Sequence, residues 1–129
     1  MDNAFRYIKD NGIERESDYP YTGVKGSCKA TASKYVTSLN GYVDVAANSP
    51  SSLVNAAAAQ PVSIAIEADQ AAFQLYKGGI ISSGCGTKLD HGVLLVGYAA
   101  DYWIVKNSWG PSWGESGYVR ISKTGSGAQ

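Results

Sequence analysis

Apolar residues recur at helical spacing near the start of the chain. Ala4, Phe5 and Ile8 fall on one face of the segment Asp2–Asn11, and the aspartate that opens this segment is a suitable helix cap. Gly12 follows and supplies the positive backbone angle at which many helices end. The pattern therefore predicts an amphipathic helix over Asp2–Asn11 with one face to bury.

A second helix and a strand are predicted in the middle of the chain. Ser49 and Pro50 form a helix-start signal, because serine accepts a hydrogen bond from a free amide and proline tolerates the first helical position. The alanine-rich segment Pro50–Ala59 is the predicted helix, and Pro61 prevents it from continuing. Val62–Ile66 then alternates with the period of a strand.

The rest of the chain alternates between loops and short segments of β-branched and apolar residues. Ser17–Ser27 is dense in turn-forming residues, which predicts a surface loop. Tyr35–Val45 is broken by Asn40-Gly41 and predicts one or two short strands around a turn. Farther on, the pattern predicts a short helical turn over Asp69–Tyr76, a glycine-rich extended segment over 78–86, and strands over Gly92–Tyr98, Tyr102–Asn107 and Gly117–Ser122.

Many short strands and little helix after residue 35 predict an antiparallel sheet curled into a barrel. With the early helix, this makes an α+β fold in one β-rich domain with a helical lead-in. Residues 125–129 are predicted to form a frayed tail.

Composition narrows the classes of function. The 129 residues are 44% hydrophobic and 11% aromatic, which suffices for a packed core. Eleven basic residues balance eleven acidic ones and no apolar stretch is long enough to span a bilayer, so neither nucleic acid nor a membrane is an expected partner. One histidine and two cysteines 57 positions apart fit neither a zinc site nor a redox pair. No metal or cofactor is therefore expected, and no targeting signal opens the chain.

A histidine and an asparagine stand at the ends of two apolar runs. Asp90-His91-Gly92 precedes one run, and Asn107 ends the other, sixteen positions later. Thiol proteolysis needs a thiolate, a histidine that pairs with it, and a third group that orients the imidazole, a role that an asparagine amide oxygen can fill. A strand, a reversal and a second strand fit between the two residues, so both are expected at the same rim of a sheet. A histidine before an apolar strand also occurs as a purely structural group.

The neighbouring strings resemble the papain-like (cathepsin L, papain) cysteine peptidases in order and spacing. These strings are His91-Gly92-Val93 with Gly97-Tyr98, Trp103 to Gly110, and Trp113-Gly114-Glu115-Ser116-Gly117-Tyr118. The likeness extends to residues 1–5, 19–21, 60–63, 73–80 and 85–86. It implies that residues 1–12 form the last helix of the helical half, that residues 13–124 form the β-barrel half, and that the catalytic cleft lies between the halves.

The resemblance implies a role for each matching residue. His91 is expected as the general acid and base, and Asn107 as its orienting partner. Trp109 and Trp113 are expected to support the hydrogen bond between them by excluding water, although plain core packing is an alternative for both.

A substrate pocket is implied at Met1, Ala65, Leu89 and Gly92, with Asp90 beside the cleft or simply solvated. The lining is apolar and modest in size. A hydrophobic or aromatic side chain is therefore expected at the substrate position before the scissile residue.

The nucleophile of such a site is expected outside this chain. In the family it lies in a Cys-Gly-Ser-Cys-Trp type string about 130 to 150 residues before the histidine, which is upstream of residue 1 here. Cys85 is the alternative nucleophile, but by the resemblance Cys28 and Cys85 are halves of disulfides whose partners lie outside the chain. The isolated chain is therefore predicted to be inactive.

Two functions follow as hypotheses. The first is the C-terminal portion of a papain-like cysteine endopeptidase that hydrolyses peptide bonds with a thiolate supplied elsewhere. The alternative is a standalone, non-catalytic binding or regulatory module, and an unrelated β-rich structural protein is a third class. Expected partners are a peptide or protein substrate, the missing helical half or a second copy of the chain, and a propeptide or cystatin-like inhibitor. The resemblance implies a lysosomal, vacuolar or secreted location.

Overall fold

The computed structural model describes residues 1–124 and divides the chain into two compact units. The first unit, Met1–Asp44, contains helix α1 (Asp2–Asn11) and a 3-10 turn at Ala32–Lys34. The second unit begins at Val45. It contains helices α2 (Pro50–Ala59) and α3 (Ala71–Gln74) and strands β1 (Val62–Ile66), β2 (Ile80–Ile81), β3 (His91–Tyr98), β4 (Tyr102–Lys106) and β5 (Tyr118–Ser122).

Helix α1 has the bounds predicted from helical spacing, but the prediction that Asp2 caps it is wrong, since Met1 is the N-cap residue and no side chain caps the helix. It ends at Asn11, and the amide of Gly12 donates to the carbonyl of Ile8 at 2.8 Å. Gly12 adopts a φ of 106°, and a β-carbon there would lie 3.1 Å from the side chain of Tyr35. Glycine therefore meets both a backbone and a packing requirement at this helix end.

The prediction of one or two strands in Tyr35–Val45 is wrong. This segment forms only an isolated antiparallel bridge, in which the Ile13 amide donates to the Thr37 carbonyl at 2.9 Å. Val43 is 92% exposed, so its side chain has no pleated surface to pack against. β-Branched residues favour a strand only where cross-strand neighbours cover them.

The predicted features of α2 and β1 are confirmed. The side-chain oxygen of Ser49 accepts from the amide of Ser52 at 3.4 Å, and Pro50 takes the first helical position. The helix ends before Gln60, whose backbone is extended, and β1 spans Val62–Ile66 as predicted. These local signals acted as the sequence indicated.

The five strands form one sheet in the order β1-β3-β4-β5-β2. The pairings β1–β3, β3–β4 and β4–β5 are antiparallel, whereas β2 pairs with β5 in parallel, so the sheet is mixed rather than wholly antiparallel. β2 has only two residues and lies in the glycine-rich segment, where so short a strand leaves no period to detect. The α+β character with a dominant sheet is as predicted.

The core belongs to the second unit. Alternation along β3 and β4 buries one side chain in two, and the largest fully buried side chains are Leu95, Val105 and Val119. Among residues 1–44 no apolar side chain is fully buried. Within residues 1–124 no helix is long and apolar enough to cross a membrane. The predicted tail at 125–129 lies outside the described residues, and the predicted division at residue 13 stays a prediction.

Candidate functional site

The structure brings His91 and Asn107 into hydrogen-bond contact. His91 is the first residue of β3, and Asn107 directly follows β4, its antiparallel neighbour in the sheet. The imidazole Nε2 lies 2.8 Å from the amide Oδ1 of Asn107. Antiparallel pairing places the start of one strand beside the end of the next, and so brings both residues to one rim.

The neighbouring backbone fixes which atom of Asn107 faces the imidazole. The amide N–H of Ser108 donates to Oδ1 at 2.8 Å, and an N–H group has no acceptor capacity, so the atom that it meets is the oxygen. The same oxygen therefore accepts from Nε2–H of His91, and Nδ1 is left for a second partner. Asn107 is 6% exposed, and its backbone amide donates to the Gly117 carbonyl at 2.9 Å.

Trp109 covers one face of the imidazole. The two rings stack with centroids 5.1 Å apart and planes 29° from parallel. Trp109 contacts Trp113 and Phe73 edge-on, at centroid distances of 5.4 and 5.3 Å. Trp113 packs on Phe73 and Tyr76, so it supports the indole of Trp109 rather than the imidazole itself.

Sequence reasoning missed Phe73 as a member of this aromatic group. It is the one buried residue of α3, and its ring approaches the imidazole edge-on at 6.3 Å. The string from Phe73 to Ile80 was part of the resemblance, and the single apolar face of a short helical turn was the available signal.

Asp90 holds the chain at the start of β3. Its Oδ1 accepts from the Ala68 amide at 2.7 Å, and its own amide donates to the Ile66 carbonyl at 3.0 Å. The carboxylate is thus engaged with backbone rather than only solvated. These two bonds join the residue before His91 to the end of β1.

Three of the predicted pocket residues, Ala65, Leu89 and Gly92, belong to the second unit. Ala65 and Leu89 line one cavity of about 60 Å³. Gly92 is the cross-strand partner of Ala65, whereas Met1 is an exposed residue of the first unit, before α1. The pocket assignment therefore stays a prediction.

Glu67 fixes the loop that leads to this cavity, a role that sequence reasoning missed. Its carboxylate accepts from the amide of Lys88 at 2.7 Å and from the side chain of Gln70 at 2.8 Å. These bonds, the backbone one foremost, lower the pKa of Glu67. A β-carbon at Gly86 would collide with the carboxylate, so a larger residue there would displace Glu67 from these bonds.

Cys85 does not have the surroundings of an activated nucleophile. Both thiols are free, Cys28 on the surface and Cys85 half-buried beside the cavity. Burial raises the pKa of Cys85, which disfavours the thiolate. Among the described residues no three metal-binding side chains of the His, Cys, Asp and Glu types cluster together.

Glu115 joins three segments behind the aromatic group. Its carboxylate receives Nη2 of Arg120 at 2.6 Å and Nε at 2.9 Å, and the amide of Gly79 at 3.0 Å. The hydrogen bonds from Arg120, followed by that from Gly79, lower the pKa of Glu115 to about 2. The sequence motif around Glu115 was noticed, but its connections were not.

Comparison with known proteins shows which family has sequences similar to this chain. A model described as papain family cysteine protease matches residues 1–128. The chain is 54% identical to the Oryzain beta chain of Oryza sativa subsp. japonica and 53% identical to cysteine proteinase RD21A of Arabidopsis thaliana. Both alignments include 95% of this chain and 28% of the relative, so the chain spans less than a third of the length of these proteins.

Solved structures of cysteine proteases have the same fold as this chain. The Carica candamarcensis cysteine protease CMS1MS2, in complex with E-64, matches with a TM-score of 0.88 at 43% identity, over 98% of this chain and 60% of that one. Digestive procathepsin L 3 of Tenebrio molitor matches with a TM-score of 0.88 at 46% identity, over 95% and 42% of the two chains. The papain-like fold implied by the sequence motifs is confirmed.

Proposed function

We propose that this chain, which belongs to the papain family of cysteine proteases, carries the catalytic histidine and asparagine of a cysteine endopeptidase. The observation that supports this most directly is the 2.8 Å contact between Nε2 of His91 and Oδ1 of Asn107. Because the amide oxygen holds one imidazole nitrogen, the other is available to a thiol. This is the arrangement that thiol proteolysis requires.

His91 moves the proton in the proposed reaction. Nδ1 takes the proton of a thiol, and the resulting thiolate attacks the peptide carbonyl carbon. The imidazolium then returns the proton to the leaving amine as the C–N bond breaks, and a thioester remains. Water, deprotonated by His91, cleaves the thioester and regenerates the thiol.

The thiol comes, in this proposal, from a segment outside these 129 residues. Cys85 is the only half-buried thiol of the second unit, and burial raises its pKa instead of lowering it. The chain alone is therefore predicted not to hydrolyse peptides. Turnover of a fluorogenic peptide by the isolated chain, abolished by Cys85→Ala, would contradict this assignment.

Asn107 and Trp109 set the environment of the imidazole. The asparagine adds no negative charge, so the pair formed by thiolate and imidazolium stays the dominant electrostatic unit. The stacked indole lowers the local dielectric around the hydrogen bond and so strengthens it. Both residues act through His91.

The proposed substrate preference is for an apolar side chain before the scissile residue. Ala65 and Leu89 line a common cavity, and Gly92 leaves its strand edge without a side chain. Apolar lining rewards a substrate group that buries matching area.

The proposed partners follow from exposed apolar surface and from the partial span of the relatives. The exposed side chains of the first unit include Tyr21, Val24 and Val43. Exposed apolar surface favours association, and the proposed partners are the rest of a peptidase, a second copy, or a propeptide or cystatin-like inhibitor. Size-exclusion chromatography that gives a clean monomer without binding of an apolar dye would count against this. The lysosomal, vacuolar or secreted location is proposed with the family.

A graft into a longer relative tests the catalytic assignment. The matched part of the Arabidopsis RD21A protein is replaced by residues 1–129, and hydrolysis of a peptide with an apolar residue before the scissile bond is measured. His91→Ala is expected to lower kcat/KM by about 10²- to 10⁴-fold, the usual size of general acid and base catalysis. Asn107→Ala removes a hydrogen bond to a charged group and should cost about 10- to 100-fold.

Asn55→Ala is the matched control, because it makes the same substitution at an exposed position of α2. It should leave the rate unchanged. Full activity of a folded His91→Ala graft would overturn the proposal. An inactive, folded graft with intact His91 and Asn107 would favour the non-catalytic binding module instead.

A further inference from the structure

We propose that Glu115 is a positioning residue for the His91–Asn107 pair, because its carboxylate anchors the turn that holds the backbone of Asn107. This inference rests on the proposed function, since it concerns the same pair. It adds a charged group that does not touch the imidazole and acts on it through backbone hydrogen bonds.

The turn itself has a defined geometry. The amides of Glu115 and Tyr118 each donate to the other's carbonyl, at 2.9 and 3.0 Å. The two residues between them, Ser116 and Gly117, have φ angles of 55° and 93°. Two successive positive φ angles between paired residues are the mark of a type I′ turn, which is tight and leaves little freedom at its corner.

Gly117, at the corner of this turn, makes backbone hydrogen bonds to both Asn107 and Trp113. The carbonyl of Gly117 accepts from the Asn107 amide at 2.9 Å, and the amide of Gly117 donates to the Trp113 carbonyl at 2.7 Å. The position of Gly117 therefore sets the backbone of Asn107. It also sets the backbone of Trp113, whose indole supports Trp109 over the imidazole.

The carboxylate of Glu115 ties this corner to two other segments. Arg120, in β5, reaches both carboxylate oxygens with two guanidinium nitrogens, and the Gly79 amide comes from the turn before β2. Tyr76 closes the connection, because its hydroxyl donates to the Gly79 carbonyl at 2.6 Å and accepts from the Arg120 amide at 3.3 Å.

Every partner of the carboxylate is a donor. A glutamine at this position would turn its NH₂ group toward Arg120 or toward the Gly79 amide, placing donor against donor. Glu115→Gln keeps the size of the side chain, removes its charge and disrupts at least one of its hydrogen bonds, so it weakens this anchor. It is therefore the informative substitution.

If the ion pair between Glu115 and Arg120 only added stability, its loss would have a different effect on amide hydrogen exchange. Loss of such a pair would shift the unfolding equilibrium of the whole unit and speed exchange equally at all amides that open by global unfolding. Loss of a positioning contact loosens the turn while the core strands stay closed. Local and global opening can be separated by amide hydrogen exchange.

The experiment measures exchange in the ¹⁵N-labelled 129-residue chain at the amides of Asn107 and Gly117, with the Leu95 amide as a core reference. In Glu115→Gln we expect exchange at Asn107 and Gly117 to accelerate about tenfold or more relative to Leu95. The imidazole N–H of the single histidine should accelerate with them. Unchanged ratios, or equal acceleration at all three amides, would overturn the proposal.

Glu67→Gln is the matched control. Glu67 also accepts a backbone amide and a side chain and also has a lowered pKa, but it anchors the loop at Lys88. It should leave the ratio of Asn107 to Leu95 exchange unchanged. If Glu115→Gln does not fold, Arg120→Lys carries the same test, because it keeps the charge and loses the two-pronged contact.

The exchange experiment and the catalytic experiment can each contradict one proposal without contradicting the other. Loss of the exchange effect would remove Glu115 from the positioning role while His91→Ala still decided the catalytic one. An active His91→Ala graft would remove the catalytic assignment while the exchange data still showed whether the turn depends on Glu115.

Discussion

The two units of the chain differ in the interactions that stabilise each of them. The unit that begins at Val45 has a core in which Leu95, Val105 and Val119 are inaccessible to solvent, and His91 and Asn107 lie at the rim of that sheet. The first 44 residues have a helix and a bridge but no fully buried apolar side chain. Geometry that depends on a sheet is therefore set within the second unit, which contains His91, Asn107 and the hydrogen-bond partners described for them.

In the first unit, hydrogen bonds between polar groups fix the loops in the absence of a buried apolar core. The hydroxyls of Tyr7 and Tyr35 lie 2.9 Å apart, and the carboxylate of Glu14 accepts from the Thr31 amide at 2.8 Å. The hydrogen bond with Tyr35 raises the pKa of Tyr7 to about 12. Such contacts fix loops, but net they contribute less than the burial of large side chains. We accordingly expect the first unit to be the less stable one.

Truncation of a core side chain should give the largest effect. Leu95→Ala removes a side chain that is 0% exposed and should lower the free energy of unfolding by about 2–5 kcal/mol, because the cavity cannot fully close. Ile13→Ala, at a residue 40% exposed in the first unit, should cost less than about 1 kcal/mol. Urea unfolding followed by far-UV circular dichroism measures both, since all three tryptophans lie in the second unit and their fluorescence would not report on the first. Equal losses would contradict the difference between the units.

Acid should weaken the second unit through Glu115. Its pKa is lowered from 4.5 to about 2 in the folded chain, so its stabilisation is fully present above pH 4.5 and is lost as the pH falls toward 2. The groups facing this carboxylate are Arg120, whose pKa is raised mainly by its hydrogen bonds to Glu115, and Tyr76, whose pKa is raised mainly by burial. The ion pair is partly exposed, so we expect an effect of about 1 kcal/mol or less.

Thermal unfolding at several pH values between 5 and 2.5 checks this. The fall in Tm with acid should be smaller in Glu115→Gln than in the unsubstituted chain, since the glutamine cannot titrate. Identical slopes in the two proteins would mean that Glu115 is not the group responsible.

The smallest effect is expected at the corner of the turn. Ser116 has a φ of 55°, a conformation that asparagine adopts more readily than serine. Ser116→Asn should therefore raise the stability by about 0.5 kcal/mol. Ser116→Val is the opposing control and should lower it, because a β-branched residue is strained at positive φ. A stabilising valine would show that the turn does not impose this backbone.

Local signals predicted the elements better than the connections between them. The helix start at Ser49 and Pro50, the strand at Val62–Ile66 and the end of α1 at Gly12 depend on neighbouring residues, and all were correct. The segment Tyr35–Val45 was predicted wrongly, because strand formation there would depend on distant neighbours that do not cover it. The two-residue β2 was missed since it exists only by pairing with β5.

The same division applies to the candidate site. His91, Asn107 and Trp109 were identified from motifs that each lie in one short string. Phe73, Glu67 and the connections of Glu115 were missed, because each acts through a residue far away in sequence. The contact from Glu115 to Gly79 spans 36 positions, and no spacing rule of helices or strands predicts such a pairing.

The tautomer of His91 shows whether Asn107 orients the imidazole. The chain has one histidine, so the ¹H–¹⁵N NMR signals of its side chain are unambiguous. At a pH where the ring is neutral, we expect a proton on Nε2, with slow exchange, and Asn107→Ala should speed that exchange and shift the signal. A neutral ring protonated on Nδ1, or a signal that does not respond to Asn107→Ala, would contradict the claim that Asn107 orients His91.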